Sequence, residues 1–434
     1  MIVPIEEEGF GEITDNTREL KEGRALLATA QNAPYRGELT AEIKTLTPEE
    51  LIDRWGLKDM KVIGVTGTNG KTTTTALIYS LLIDLGYSAA LQGTRGLFVD
   101  DRPIEEKHMT TPSILETLWN MKRAKEAGAE YFVMEVSSHA IDQDRIEGLD
   151  FALKVHTNVT RDHLDYHGTL EEYRRVKSLF FSDDSLKLLN KDEIKSITFN
   201  PKNAYTYGVE EPATFKVLAY SLQNGISAVV QFRQEQEAFF SNMMGLFNLY
   251  NLLAAIASVK LLTDRPLAEI CDVVENFGGV SGRMEVVSAK PTIIVDFAHT
   301  DDGMYRVLDS LKDKDLVVVF GAGGDRDRGK RPRMGAVAGR FAKKIYVTSD
   351  NPRSEDPEAI IAEILQGLKG KEGVRAIVDR REAIERAIDE LQEDEILLIL
   401  GKGDESTQEI AGVKHPFDDR EVVRQILEKQ GTQR

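Results

Sequence analysis

The stretch that decides the reading is Lys61–Gly86, KVIGVTGTNGKTTTTALIYSLLIDLG. Its first seven residues are β-rich and end in glycine, and from Lys71 onward it reads as a helix closed by Gly86. Strand, glycine loop and helix in that order predict a phosphate cradle over Gly67–Thr74, GTNGKTTT. Glycines let backbone N–H groups curl round phosphate oxygens, and the helix N-terminus adds partial positive charge. In such a loop Lys71 neutralises the β- and γ-phosphates and Thr72 offers its hydroxyl to Mg²⁺. The usual P-loop has a glycine five residues before its GK pair. Val65 stands there, so the general pattern is incomplete, and a plain glycine turn before a helix is the alternative. A phosphate cradle suits kinases, GTPases and ligases alike. No guanine-reading NKxD loop lies in a suitable position, which makes a GTPase switch the weaker reading.

Outward from the cradle, buried-strand patterns occur at Tyr131–Val136 and Leu153–Thr157, and helical ones at Ser113–Ala127, Leu170–Phe181 and Asn248–Leu262. Residues 187–240 are rich in β-formers and turns. The first sixty residues are polar and mixed, with a short strand expected near Gly11–Thr14 and a turn at Lys21–Gly23. After about Arg283 the alternation is cleaner. Strand runs at Thr292–Phe297, Leu316–Phe320, Lys344–Thr348, Val374–Val378 and Ile396–Leu400 alternate with helical segments, which predicts right-handed βαβ units and a parallel sheet. Ligands bind beyond the carboxyl ends of such strands. The loops there carry the unusual residues, AHTDDG, GAGGDRDRGKR, SDNPRSEDP and GKGDE, and are expected to share one site.

Bulk properties narrow the class. A chain of 434 residues predicts two to four domains, and 41% hydrophobic residues suffice for packed cores. The net charge of −17 argues against a nucleic-acid or anionic-membrane binder. The single cysteine, Cys271, can form no internal disulfide and belongs to no zinc cluster; it reads as a small buried hydrophobe. MIVPIEEEGF lacks the charge and apolar pattern of a secretory signal, and no run of about 18 apolar residues occurs. The expectation is a cytoplasmic enzyme, a monomer, with small-molecule substrates, no nucleic-acid partner and no membrane insertion.

TGTNGKTTT resembles the Mur ligases, whose GTNGKT variant removes the spacing objection. Ten further strings follow in family order: MTTP (Met109–Pro112), EVSSHA (Glu135–Ala140), TNVTRDHLDYHGT (Thr157–Thr169), YRRVKSLF (Tyr173–Phe180), GLFNLYN (Gly245–Asn251), GRME (Gly282–Glu285), VDFAHT (Val295–Thr300), FGAGGDRDRGKRPRMG (Phe320–Gly335), SDNPRSEDP (Ser349–Pro357), and GKGDE (Gly401–Glu405). The resemblance covers roughly Lys61 to Arg420 and is to the MurE type, which joins diaminopimelate to a UDP-linked peptidoglycan precursor. It implies an α/β chain of three-domain Mur ligase architecture. The divisions expected are an abbreviated UDP-substrate domain at 1–58, a central P-loop ATPase domain at 59–282 and a C-terminal Rossmann-like amino-acid domain at 283–434. It also implies ATP, Mg²⁺ and an acyl-phosphate intermediate on the D-glutamyl γ-carboxylate.

The resemblance assigns residues one by one. The nucleotide is met by Gly67, Thr68, Asn69, Gly70, Lys71, Thr72 and Thr73, with Asn248 and Asn251 toward adenine and Arg283 and Asp296 from the third domain. Two anions must be screened from each other. Thr72, Glu135, His163 and Lys177 are implied metal ligands, Lys177 after CO₂ has turned its ammonium into an anionic carbamate. With Lys71 and His299, the last three form the implied catalytic set. Without the resemblance, Glu135 reads as a strand-end carboxylate, His163 as a polar loop residue, and Lys177 as a solvated helix lysine. The UDP-peptide is assigned to Thr17, Arg18, Thr110, Thr111, Ser137, Gln143 and Arg145. The amino acid is assigned to Arg326, Asp350, Asn351, Pro352, Arg353, Gly401 and Glu405. Diaminopimelate differs from lysine by a far-end carboxylate, for which the fork of Arg353 is suited. Two departures stand out: Asp404 where GKGHE is usual, and Asp301 where proline often follows AHT. A folate polyglutamate ligase, a non-catalytic nucleotide-binding regulator and a ligase repurposed for another carboxylate are the rival readings.

Overall fold

The computed structural model describes residues 1–7, 10–38, 43–100, 102–105 and 109–432. The chain opens with a four-stranded sheet in the order β1 (Ile2–Glu7), β2 (Phe10–Thr14), β3 (Arg24–Leu27), β4 (Thr45–Leu46). Only the β1–β2 pair is antiparallel. The strand and turn expected near residues 11–23 are present. Of the flanking strands, β3 and β4 escape a local reading because they are short and pair in parallel with strands elsewhere in the chain. Helix α1 (Pro48–Arg54) follows. The Thr47 hydroxyl accepts from the Glu50 amide while the Glu50 carboxylate accepts from the Thr47 amide, a reciprocal cap of about 1 kcal/mol. Val3, Ile13, Leu27 and Leu51 share one apolar cluster with Phe132 and Met134 of the next sheet, which seats this segment on the central body.

The central body is an eleven-stranded sheet. In chain order its elements are β5 (Lys61–Thr66), α2 (Lys71–Asp84), β6 (Ala89–Gly93), β7 (Gly96–Val99), β8 (Arg102–Glu105), α3 (Ile114–Glu126), β9 (Tyr131–Glu135), α4 (Ser138–Asp142), β10 (Phe151–His156), α5 (Leu164–His167), α6 (Leu170–Leu179), β11 (Lys187–Asn190), β12 (Ala204–Gly208), β13 (Phe215–Ser221), β14 (Ile226–Phe232), β15 (Glu235–Ser241), α7 (Leu246–Leu262) and α8 (Leu267–Asp272). The strand order is β15-β14-β13-β12-β11-β10-β5-β9-β6-β7-β8. The run from β13 to β6 is parallel, and antiparallel hairpin strands extend both ends. Helices cover both faces, α2 and α7 on one, α3 and α6 on the other. That is why the middle strands are almost wholly apolar. β5 lies between β10 and β9, so the cradle, Glu135 and Thr157 emerge side by side at the carboxyl ends.

The third sheet has the order β16 (Glu285–Ala289), β17 (Thr292–Asp296), β21 (Glu395–Leu400), β18 (Asp315–Phe320), β19 (Ala342–Val347), β20 (Val374–Ala376), with only β16 antiparallel. The five strand runs expected after Arg283 are all here. Helices α9 (Asp301–Asp309), α10 (Lys330–Phe341) and α11 (Pro357–Gln366) cover one face. Helices α12 (Arg380–Asp389) and α13 (Asp419–Thr432) cover the other. A hairpin of β22 (Thr407–Ile410) and β23 (Val413–Pro416) leans on the loop after β19, through Arg353 N–H to the Glu409 carbonyl (3.0 Å) and Ala411 N–H to the Arg353 carbonyl (2.7 Å).

The two large sheets meet at the stretch before β16. There Gly282 has φ +68°, and a Cβ would lie 2.1 Å from the Asp404 backbone nitrogen. Only glycine permits that approach. Among the described residues no helix is long and apolar enough to cross a membrane.

Candidate active site

A cavity of about 580 Å³ opens where the carboxyl ends of the central and third sheets face each other. Its walls bring together Thr68, Asn69, Gly70, Lys71, Thr72 and Thr73 with Thr110, Glu135, His163, Asn248 and Asn251. From the third sheet come Arg283, Asp296, His299, Arg326, Asp350, Asn351, Arg353 and Glu405. All four polar loops expected to share a site reach it. Gly67, Thr111, Ser137, Gln143, Arg145, Lys177, Pro352 and Gly401 are not part of this lining. Thr17 and Arg18 sit on a 3₁₀ turn, Thr17–Glu19, beside the N-terminal sheet and do not line the cavity.

The cradle is held from behind. The Asn69 amide donates to Asn158 Oδ1 (2.9 Å), the Thr157 hydroxyl donates to the Asn69 carbonyl (2.7 Å), and the Thr68 amide donates to the Asn158 carbonyl (2.8 Å). Lys71 Nζ folds back to the carbonyls of Gly67 and Thr68, both at 2.9 Å. Burial pulls its pKa below the usual lysine range, with Glu135 and Asp162 opposing. At the nucleotide end, Asn251 Nδ2 donates to Asn248 Oδ1 (3.0 Å) and its Oδ1 accepts from the Thr74 hydroxyl (3.2 Å). The spacing of three does put both amides on one helix face.

Lys177 is the least ordinary group. Thr169 caps α6 by accepting from the Glu172 amide, and the i, i+4 pair Tyr173 and Lys177 faces inward. The Tyr173 hydroxyl lies 3.1 Å from Thr68 Oγ1. Lys177 Nζ, in a side chain only 1% exposed, donates to the Gly67 carbonyl (2.9 Å) and Thr66 Oγ1 (3.3 Å). Its counter-charge is remote. Loss of water, then the neighbouring Lys71 cation, drives its pKa well below the ordinary lysine range, against Asp162. This is a buried amine at the root of a phosphate loop, not a solvated lysine.

Two further hard donors, Glu135 and His163, line the cavity itself. Glu135 Oε2 accepts from the Thr72 hydroxyl (2.9 Å) and Oε1 from the Thr94 amide (2.8 Å). His163 is in the left-handed region, φ 53°, a strained placement of the kind found at functional sites. Burial, with help from Lys71, holds its imidazole well below the usual range despite Asp162 Oδ2 at 3.3 Å. A neutral ring keeps a lone pair for a metal. Among the described residues no three His, Cys, Asp or Glu side chains group as a metal site. The expected set contains only Glu135 and His163 of those types. It fits a Mg²⁺ ion if the Thr72 hydroxyl, phosphate oxygens and a modified Lys177 complete the shell.

The peptide-side residues form their own network. Arg145 donates to Gln143 Oε1 through Nε (3.0 Å) and Nη2 (2.6 Å) and to the Thr111 carbonyl through Nη1 (3.0 Å). The Thr111 hydroxyl donates to the Glu135 carbonyl (2.9 Å) and accepts from the Ser137 amide (3.0 Å). Across the cavity, Asn351 Nδ2 donates to Glu405 Oε2 (2.8 Å), and Arg353 Nη1 donates to the Gly324 carbonyl (2.7 Å). Asp350 Oδ2 is buried with no hydrogen-bond partner. Asp296 accepts from the amides of Met284 and Ala298, both at 2.7 Å. Burial raises its pKa against the pull of Arg283. The Arg283 guanidinium stacks 4.0 Å over the Phe297 ring, and His299 Nδ1 lies 3.0 Å from the Phe297 carbonyl.

Sequence reading passed over Asn158 and Asp162, though both sit inside quoted strings. Asp302 lies in the AHTDDG loop expected at the site but was given no role, and Arg306, one turn further along α9, had no local signal. Asp302 Oδ2 accepts from Asn69 Nδ2 (2.9 Å), the Thr160 hydroxyl (3.2 Å) and Arg306 Nε (2.9 Å), which ties the third sheet's body to the cradle.

A profile of the Mur ligase middle domain matches residues 65–259, and one described as Mur ligase, glutamate ligase domain, matches 282–403. The chain is 54% identical over 419 residues to a protein of Wolinella succinogenes named UDP-N-acetylmuramoyl-L-alanyl-D-glutamate--2,6-diaminopimelate ligase, covering 96% of each. It is 48% identical over 425 residues to the Helicobacter pylori protein of the same name, covering 95% of this chain and 94% of that one. A solved structure of a ligase of that name superposes with a TM-score of 0.66 at 33% identity, over 96% of this chain and 95% of the other. A folylpolyglutamate synthase of Mycobacterium tuberculosis gives a TM-score of 0.67 at 18% identity, over 82% of this chain and 91% of that one, a likeness of fold alone.

Proposed function

The chain belongs to the Mur ligase family, and from that premise we propose that it is the ATP-dependent ligase joining meso-diaminopimelate to the D-glutamyl γ-carboxylate of UDP-N-acetylmuramoyl-L-alanyl-D-glutamate. The observation that carries this is the single cavity in which the phosphate cradle meets the Asp350–Arg353 and Gly401–Glu405 loops. A nucleotide-binding regulator has no use for the second half of that wall.

The γ-carboxylate oxygen attacks the terminal phosphorus of ATP and ADP leaves. The amine then attacks the acyl carbon, and phosphate departs from the tetrahedral intermediate. Cradle amides and Lys71 hold the phosphates against the incoming carboxylate. Thr72, Glu135, His163 and a carbamylated Lys177 would hold Mg²⁺, which would screen the two anions from each other. A neutral, dehydrated amine is the form that adds CO₂, and the Lys177 surroundings favour it. Asn248 and Asn251 serve the adenine side; Arg283, Asp296 and His299 complete the nucleotide's far wall. Thr110, Thr111, Ser137, Gln143 and Arg145 take the peptide, and Thr17 and Arg18 the uridine end. Asp350 with its unmet oxygen, Asn351 and Glu405 suit the zwitterionic end of the amino acid beside Gly401 and Arg326. Arg353, set by Pro352, suits the far carboxylate. The division 1–58, 59–282 and 283–434, the monomeric state and the cytoplasmic location belong to the same proposal.

The test is phosphate release with ATP, Mg²⁺, the UDP-dipeptide and competing amino acids, with the product identified by mass. Release that needs both the UDP-dipeptide and diaminopimelate is expected. Release with a folate acceptor and glutamate instead, or none with any acceptor, overturns the assignment.

A further inference from the structure

The loops Asp350–Arg353 and Gly401–Glu405 must present their groups at a fixed separation, yet their strands are not neighbours. β18 lies between β19 and β21, so no ladder hydrogen bond ties one loop to the other. Arg380, the first residue of α12, does so. Its side chain is 0% exposed. Nη1 donates to the Ser349 carbonyl (3.3 Å) and Nη2 to the Leu400 carbonyl (3.1 Å). Those carbonyls belong to the residues directly before the two loops. Nε and Nη2 meanwhile fork onto Asp419, itself 0% exposed, at 2.8 and 2.7 Å. One planar group thus fixes both loop roots and is fixed in turn by the start of α13.

A second tie lies nearer the cavity. Lys402 Nζ donates to Asn351 Oδ1 (3.1 Å) and Glu405 Oε2 (2.8 Å), so tips and roots are held independently. A buried ion pair contributes little net stability compared with apolar side chains of similar size. Stability alone is therefore a poor account of a guanidinium placed here. Five fixed donors in one plane are what a spacer between two carbonyls and a carboxylate requires.

Resting on the function proposed above, we propose that Arg380 is a positioning residue for amino-acid selection: it sets the spacing of the two loops that grip opposite ends of the substrate. It touches no substrate and acts through Ser349 and Leu400.

The experiment is steady-state kinetics on the full chain, comparing wild type, Arg380→Lys and the double variant Arg380→Met/Asp419→Leu, with thermal unfolding of each. The double variant replaces both charges together, so it is expected to keep the wild-type Tm within a few degrees. Its KM for meso-diaminopimelate rises about tenfold or more, and its preference over lysine shrinks, while the KM for ATP stays within about twofold. Arg380→Lys keeps the charge but loses the fork, and falls between. A folded double variant with wild-type KM and wild-type preference overturns the inference. So does a parallel rise of KM for all three substrates together with a lowered Tm, which is the mark of a merely structural role. The wild-type arm reads the parent assignment separately: with no diaminopimelate-dependent ADP there, that assignment falls and takes this inference with it.

Discussion

Lys177 and Arg353 are the residues whose surroundings decide most. The Lys177 amine is 1% exposed and hydrogen-bonded to the carbonyl of Gly67, and the proposed function gives it a carbamate. Lys177→Ala is expected to lower kcat about 10²- to 10³-fold, with partial return when short carboxylates are supplied. The measurement is ADP release with and without added formate or acetate, and activity that stays lost counts against the carbamate. For Arg353→Ala, a charge-assisted contact of about 1.5–3 kcal/mol predicts a preference for diaminopimelate over lysine lowered about tenfold to a hundredfold, read as the ratio of kcat/KM values. Unchanged preference would remove Arg353 from the specificity site. Both residues were legible only because they lie inside strings shared with a family. Arg380 was not legible at all. In DRREA it looks like any helix charge, and complete burial follows from where α12 and α13 happen to meet, which no local pattern records.

Elements divide the same way. The long parallel strands and their helices declared themselves through apolar runs and helical spacing, because both faces of the sheets are covered. β3 and β4 are short and pair in parallel with strands elsewhere in the chain, while β7 and β8 are four-residue hairpin strands, β8 largely exposed, so none of them carries a clear apolar alternation. Another device links α10 to α11. Arg331, 0% exposed, donates to both oxygens of Glu355 (2.8 and 2.7 Å), to Glu363 (2.9 Å) and to the Gly323 carbonyl (3.2 Å), locking the loop that carries Arg326. Hydrogen bonding to Arg331 lowers the Glu355 pKa from 4.5 to about 2. Between those values the folded chain binds fewer protons than the unfolded one, so this stability is present above pH 4.5 and drains away as pH falls toward 2. Glu355→Gln is expected to cost about 1–3 kcal/mol at pH 7, Glu363 remaining as a partner, and the gap in urea midpoint should close on acidification. A gap independent of pH would contradict this.

At the scale of the whole molecule the two large sheets are already drawn together. Asp302 takes Asn69 and Thr160, Arg161 pairs with Asp327 at 3.0 Å, and Arg306 with Glu193 at 3.3 Å. Asp302→Ala should loosen this arrangement. Small-angle scattering of the ligand-free variant should then report a larger radius, and more ATP should be spent per product because water reaches the acyl phosphate. An unchanged radius and coupling ratio would show that these contacts do not govern closure. The approach of Gly282 to the Asp404 backbone has a wider bearing. The strip of chain about which the halves would swing presses on the loop that carries Glu405. A rotation there cannot leave that loop where it was, so the two ligands share one equilibrium. Whatever factor a non-hydrolysable ATP analogue adds to the affinity for diaminopimelate, diaminopimelate must add the same factor to the affinity for the analogue. Titration calorimetry run in both orders should return that common factor, above unity, and Gly282→Ala should bring it down toward one.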